Sequence, residues 1–344
     1  MARELGLVFV GCGEVTRVHA RLLRRLDRSV RLYFASRDSA RADQFNRALG
    51  GSGAFGSYHE AFAADGIDAA VIATPPSEHL EATMAALTHG KAVVVEKPAF
   101  LSLEDFDHVR AGADQAGREV YVAENYFYKP IADRLRHILS SNAVGDPLVL
   151  QVTAVKRQSA TGWRGDPSLA GGGGLFEGGV HWVDFMAHLG LEVEHVSAAS
   201  AGRAGSPGGP GSPGGPGSPG GPGSVGDARA EETFVVTFRY RGGAVGVLTF
   251  SWEVPSALHG VRLSHLYGRE GTVRFESNGL FAIITGKRTR LHLPGLRDLS
   301  GRRAMWSDFL HSMRSGERPR MTLEAAKQDL RWVQRAYESA RNDR

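Results

Sequence analysis

The sequence predicts an N-terminal α/β domain on a doubly wound parallel sheet. A C-terminal α+β domain with a large open, mainly antiparallel sheet follows. Three observations carry this reading. Over residues 1–124, short runs that are apolar throughout alternate with stretches of helical period, as in parallel strands covered on both faces. After about residue 124 the apolar period becomes two, the mark of strands with one solvated or partner-facing side. A chain of 344 residues is also about twice a common domain length, so two packed domains, 1–124 and 125–344, are expected.

In the first domain, residues 5–10 form an apolar strand and 15–26 a helix. Val15, Val18, Leu22 and Leu26 make its apolar stripe, with Arg21, Arg24, Arg25 and Arg28 opposite as a solvated face. A second strand over 30–36 leads to a helix around 40–49 that ends at Gly50-Gly51. A short helix around 58–64 precedes a buried strand over 69–74. Helix 78–88 stops at Gly90, and strand 92–95, helix 103–116 and strand 119–123 complete the domain.

A helix around 131–139 opens the second domain. Alternating segments follow at 148–155, 233–240, 244–252, 261–267 and 272–276. Arg241-Gly242-Gly243 joins two of them as a hairpin turn. Two helices close the chain: Trp306, Phe309, Leu310 and Met313 stripe the first, and Ala326, Leu330, Val333 and Tyr337 the second, which opens at Thr322. Over 202–228 glycine recurs at every third position, formally the collagen period. A triple helix needs three chains side by side, so this short insertion reads as a flexible Gly/Pro/Ser loop whose closure entropy grows only slowly with length.

Hydrophobic residues at 42% and charged residues at 23% exclude global disorder. No apolar run approaches the ~20 residues of a spanning helix, and a strand starting at residue 5 leaves no room for a signal peptide. A cytoplasmic protein without a membrane partner is expected. The single cysteine, Cys12, excludes an intrachain disulfide framework and a sulfur-based zinc site. The net charge of +4 comes from arginines interspersed with acids rather than from a basic face, so nucleic acid is not an expected partner.

Gly11-Cys12-Gly13-Glu14-Val15-Thr16 joins the first strand to the first helix. Gly11 permits the tight turn, and Gly13 lets a pyrophosphate approach backbone N–H groups at the positive helix end, with Glu14 and Val15 lining the same turn. A carboxylate at the end of the second strand would grip the 2′-hydroxyl of NAD(H). Ser36 and Arg37 stand there instead, with Arg41 one helical turn on, and a guanidinium suits the 2′-phosphate of NADP(H). Asp38 falls one or two positions too late, although a register slip would reverse the preference. Two more loops leave carboxyl ends of parallel strands: Thr74-Pro75 with His79 downstream, and Glu96-Lys97-Pro98.

In the second domain four glycines, 171–174, lead into a helix on which Glu177, His181 and Asp184 fall at i, i+4 and i+7 and share one face. A carboxylate one turn from an imidazole can orient it as a general acid/base. The same spacing could hold a metal, but with no further ligand nearby acid/base work ranks higher and no metal is assigned. The glycines would let backbone approach a ligand. Tyr126, Tyr128, Trp163 and Arg164 are candidates for a substrate pocket wall.

Together these residues resemble the Gfo/Idh/MocA family of NAD(P)-dependent oxidoreductases. The likeness rests on Gly11-x-Gly13 with His19 downstream, Thr74-Pro75, Glu96-Lys97-Pro98, and the run from Gly173-Gly174 through Glu177, Gly179 and His181 to Asp184. It implies an N-terminal Rossmann domain and a C-terminal domain whose open sheet forms the interface of a homodimer or homotetramer. It also implies Lys97 beside nicotinamide and substrate, a cis peptide before Pro98, and His181 as the proton-transfer residue. Hydride transfer at a carbinol or carbonyl carbon of a sugar, cyclitol or related polyol is the expected activity. The alternatives on the same fold are an NAD-dependent glycosidase that oxidises its substrate transiently and a catalytically inactive cofactor-binding regulator. Two positions depart from the family pattern: Thr16 replaces a third Gly or Ala, and Glu177 stands where Asp is common.

Overall fold

A computed structural model describes residues 3–158, 167–201, 233–256, 260–294 and 296–342. The insertion at 202–228 and the candidates Trp163 and Arg164 lie outside the described residues. The chain forms two compact units: Met1–Glu124 with Arg303–Lys327, and Asn125–Arg302 with Gln328–Arg344.

The first unit alternates strand and helix: β1 (Leu5–Val10), α1 (Glu14–Leu26), β2 (Val30–Ala35), α2 (Ser39–Leu49), β3 (Gly53–Phe55), α3 (Tyr58–Ala63), β4 (Ala69–Ile72), α4 (His79–Thr88), β5 (Ala92–Val95), α5 (Leu103–Ala116) and β6 (Val120–Val122). The strands pair in parallel in the order β3-β2-β1-β4-β5-β6. All six residues of β1 are buried, as the unbroken apolar run requires of a central parallel strand. Local chemistry sets the helix ends. Asp38 and Ser57 cap the starts of α2 and α3, Ser102 and Asp105 form a capping box on α5, and Gly50 and Gly117 end α2 and α5 in the left-handed region.

One face differs from expectation. The buried side of α1 is Thr16, His19, Ala20 and Leu23, while Val18 is exposed. Counting apolar residues misplaced this stripe because two of its members, Thr16 and His19, are polar and satisfied by internal hydrogen bonds.

The second unit contains α6 (Pro130–Ser140), β7 (Pro147–Val155), α7 (Pro167–Ala170), α8 (Val180–Ala187), β8 (Val193–Ser200), β9 (Thr233–Tyr240), β10 (Val245–Ser251), β11 (Leu263–Gly268), β12 (Thr272–Glu276), β13 (Ala282–Thr285) and β14 (Arg290–His292). Its eight strands run in the order β14-β13-β12-β11-β7-β10-β9-β8, antiparallel except for the parallel pair β7–β10. Alternate residues such as Leu150, Val152, Phe234, Val236, Phe238, Leu248 and Phe250 are buried on one face, which is the period-two pattern realised. Strand β3 of the first sheet and strands β8, β13 and β14 of the second escaped the sequence reading: β8 is Val-Glu-His-Val-Ser-Ala-Ala-Ser, with few β-branched residues, and the other three are short.

Two helices follow, α9 (Arg302–Ser315) and α10 (Leu323–Asn342). Sequence placed both in the second domain, but α9 belongs to the first unit. Its Trp306 bonds to His19, Ser312 meets the Tyr121 hydroxyl at 3.0 Å, and Arg314 pairs with Asp27 at 2.7 Å. A helical stripe shows which side of a helix is apolar, not which body it covers.

Candidate functional site

In the first unit, the loops after β2, β1, β4 and β5 leave the carboxyl ends of neighbouring strands, and the winding order reverses between β1 and β4. Gly11 has φ +98°, and a Cβ there would stand 2.8 Å from the Ala73 carbonyl oxygen, so the turn requires glycine. Gly13 is the N-cap of α1 and carries no side-chain cap, and a Cβ on it would meet nothing within 4 Å. The first amides of α1 therefore open onto space beside Glu14 and Val15, a cradle that fits a pyrophosphate. Thr16 is buried, and its hydroxyl donates to the Gly11 carbonyl at 2.6 Å, fastening loop to helix.

Ser36 directly follows β2, and its hydroxyl accepts from the Asp38 amide at 3.2 Å. The Asp38 carboxylate is committed to capping α2, accepting from the Arg41 amide at 3.3 Å. The Arg41 guanidinium donates through Nε to the Cys12 carbonyl at 2.8 Å, which holds it against the glycine loop. Arg37 is largely exposed and pairs with Glu78 at 3.0 Å. Burial pushes the Cys12 thiol up to about 11, so it stays protonated and unreactive in this loop.

The Thr74 hydroxyl oxygen is buried and has no hydrogen-bond partner among the described residues, an orphan of the kind a bound polar group completes. Pro75 leads into a short 3-10 turn, Pro76–Glu78. His79 is 1% exposed, which leaves it no surface to offer a cofactor. Its ring instead lies buried between two loops, Nε2 facing the Thr74 carbonyl at 2.9 Å and Nδ1 facing the Pro98 and Ala99 carbonyls at 3.1 Å each, and a neutral ring donates to one of these sides. Burial lowers the imidazole below its usual range, with the carbonyl contacts pulling the other way.

Lys97 is half-buried, and its peptide bond to Pro98 is cis, as the family resemblance implied. Its N–H donates to Glu96 Oε2 at 3.1 Å. Glu96 Oε1 lies 2.6 Å from His19 Nε2, and His19 Nδ1 accepts from Trp306 Nε1 at 2.8 Å. Neither His19 nor Trp306 was singled out as a site residue. The available signal was a histidine at a position that helical spacing from Thr16 turns inward.

In the second unit, the segment carrying the acid–histidine pattern begins as a π-helical turn, Leu175–Gly179, before α8. The expectation that Glu177, His181 and Asp184 share one face assumed a regular α-helix, and a π turn alters that angular count. Glu177 is 5% exposed and His181 half-buried. The His181 ring stacks on Tyr126 with centroids 4.3 Å apart and planes at 12°. Trp182 meets Tyr126 edge-on at 5.0 Å, and Lys129 Nζ stands 4.3 Å from the Tyr126 ring centre, a cation–π contact. Asp184 is fully buried, 3.8 Å from His188 Nε2, which in turn lies 2.9 Å from Asp329.

A Cβ on Gly172 would fall 2.7 Å from Phe176 and one on Gly178 would fall 2.4 Å from the Trp252 ring, so at these two positions glycine makes room for aromatic side chains. Of the pocket-wall candidates, Tyr126 is half-buried beside His181, whereas Tyr128 is 0% exposed and belongs to the core.

The arrangement defines a Rossmann-type dinucleotide-binding domain joined to an open-sheet α+β domain. A family profile described as an oxidoreductase family with an NAD-binding Rossmann fold matches residues 5–124, and its GFO/IDH/MocA C-terminal domain matches residues 132–274. The chain belongs to the Gfo/Idh/MocA family. Among curated relatives, trans-1,2-dihydrobenzene-1,2-diol dehydrogenase of Bos taurus is 29% identical over 58% of this chain and 59% of its own length. Myo-inositol 2-dehydrogenase of Thermotoga maritima is 24% identical over 70% of this chain and 66% of its own. The chain spans about half the length of several of the curated relatives it matches. An oxidoreductase from Agrobacterium radiobacter, solved with NAD+, L-tartaric acid and magnesium, superposes with a TM-score of 0.80 at 19% identity, covering 99% of this chain and 98% of the other. No described helix is long and apolar enough to cross a membrane.

Proposed function

We propose that the chain is an NADP(H)-preferring oxidoreductase that transfers hydride to or from a carbinol or carbonyl carbon of a sugar, cyclitol or related polyol. The observation that carries this reading is the carboxyl edge of the first sheet. There the Gly11–Gly13 cradle and the Lys97 loop leave strands β1 and β5, separated only by β4 and its Thr74 loop. The dehydrogenase names of the relatives support the substrate class. A bound nicotinamide cofactor supplies the hydride chemistry.

The protein's part is placement and proton handling. The amides at the start of α1 hold the pyrophosphate; Ser36, Arg37 and Arg41 face the ribose end. Lys97 donates to the reacting oxygen and stabilises negative charge developing there. His181, its ring oriented by Tyr126, removes or returns the hydroxyl proton. Glu177 orients His181 or contacts substrate, and Asp184 supports the same helix.

A second copy of the chain is the proposed partner, docked on the solvent face of the eight-stranded sheet. The register places Val235, Val245, Leu263 and Tyr267, all exposed, on that one face. A panel of polyols, aldoses and keto-sugars, assayed with both cofactor pairs at the nicotinamide absorbance band, tests the activity. Turnover with at least one polyol or sugar and a preference for NADP(H) is expected; release of free sugar with no absorbance change would instead indicate the glycosidase reaction.

A further inference from the structure

We infer that His19 is a positioning residue for Lys97, locked in one neutral tautomer by Trp306; this rests on the reading of Lys97 as the group that acts on substrate. The three residues are distant in sequence and adjacent in the first unit. His19 is 2% exposed and Trp306 0%, and their rings meet edge-on with centroids 5.6 Å apart. An indole N–H can only donate, so the Trp306 bond requires a lone pair on His19 Nδ1. A neutral imidazole then carries its proton on Nε2, the nitrogen 2.6 Å from Glu96 Oε1. The contact between His19 and Glu96 is therefore a hydrogen bond from a neutral ring to a carboxylate, not an imidazolium ion pair.

The consequence falls on Glu96. Its negative charge is not cancelled by His19, and its two oxygens are held by two donors, the His19 ring on Oε1 and the Lys97 amide on Oε2. The carboxylate cannot rotate without breaking both bonds. Because Lys97 reaches its working position through a flexible four-carbon stem, the direction in which that stem starts is set by the backbone that Glu96 fixes. On the other side of the same loop the buried His79 ring packs against the Pro98 and Ala99 carbonyls, its Nδ1 3.1 Å from each. The His19 anchor is the one that depends on a residue from the returning helix α9.

A glutamine at position 19 can reproduce both bonds, its carbonyl accepting from Trp306 and its amide donating to Glu96; leucine can reproduce neither. In the full-length protein, H19L should lower kcat by about 10–100-fold with the cofactor KM changed less than about threefold, and H19Q should recover kcat to within about threefold of the parent. Two readouts do not depend on knowing the substrate. Nitrogen-15 NMR should show His19 protonated at Nε2 alone, with a mixture of tautomers in W306F. Hydrogen exchange at the Lys97 amide should be slow in the parent and H19Q and at least tenfold faster in H19L. An Nδ1–H or doubly protonated ring in the parent, equal exchange in H19Q and H19L, or H19Q as damaging to kcat as H19L would overturn the inference. If no polyol or sugar is turned over at all, the reading of Lys97 fails, while the NMR and exchange results still decide the anchor.

Discussion

Arg37 and Asp38 are chain neighbours with opposite consequences for a ribose. A carboxylate aimed at the 2′ position favours a hydroxyl and repels a phosphate, and a guanidinium does the reverse. The helix start at Ser39 makes Asp38 the N-cap, its carboxylate accepting from the Arg41 amide, and this supports the proposed preference for NADP(H). Replacing Arg37 by alanine should weaken NADP(H) binding by about 10–100-fold, the loss of one charge-assisted contact, and leave NAD(H) affinity within about twofold. Fluorescence titration of both cofactors checks this, and equal affinities before and after the substitution would refute the preference. At this scale the sequence was readable where residue type alone carries the signal, as for the turn glycine Gly11 with its φ of +98°. It was silent where a role depends on a partner far along the chain: Thr16 bonding its own loop, or His19 meeting Trp306.

The elements show the same division. An apolar run named five of the six parallel strands, all but the three-residue β3, and alternation named β7, β9, β10, β11 and β12 of the second sheet, since burial on two faces or one leaves different periods. The π turn Leu175–Gly179 left no comparable trace: the segment reads as regular helix, and only the packing of Trp252 on Gly178 and of Leu175 on Gly179 shows why glycines stand there. His79, at the head of α4, was legible as part of a loop motif but not as a ring buried between two loops. Burial lowers its pKa in the folded chain, so at acid pH the unfolded chain takes up a proton that the folded chain refuses. The stability this neutral ring preserves is complete above about 6.5 and is lost as pH falls below that value, by at most about 1.4 kcal/mol per pH unit. Urea midpoints of the parent should therefore drop between pH 7 and 5 more steeply than those of a His79→Asn variant; parallel curves would show that this ring does not titrate against folding.

For the whole molecule, the fold class and the position of the first boundary follow from the change of period near residue 124, yet the return of α9 to the first unit does not. Trp306, Phe309 and Leu310 were plainly a buried stripe, and their destination was fixed only by His19 and Tyr121 across the fold. The exposed row Val235, Val245, Leu263 and Tyr267 belongs to this scale too. An assembly of two or four copies is expected in analytical ultracentrifugation, with V235E and L263E together giving the monomer; a monomeric parent would remove the proposed interface.

The central proposal is that Lys97 and His181 are both required for turnover. Its most direct test is turnover of the best substrate by the parent, K97M and H181A, read at the nicotinamide band beside the cofactor dissociation constant. Each single change should reduce kcat by about two to four orders of magnitude at nearly unchanged cofactor affinity. Either variant turning over like the parent would contradict it.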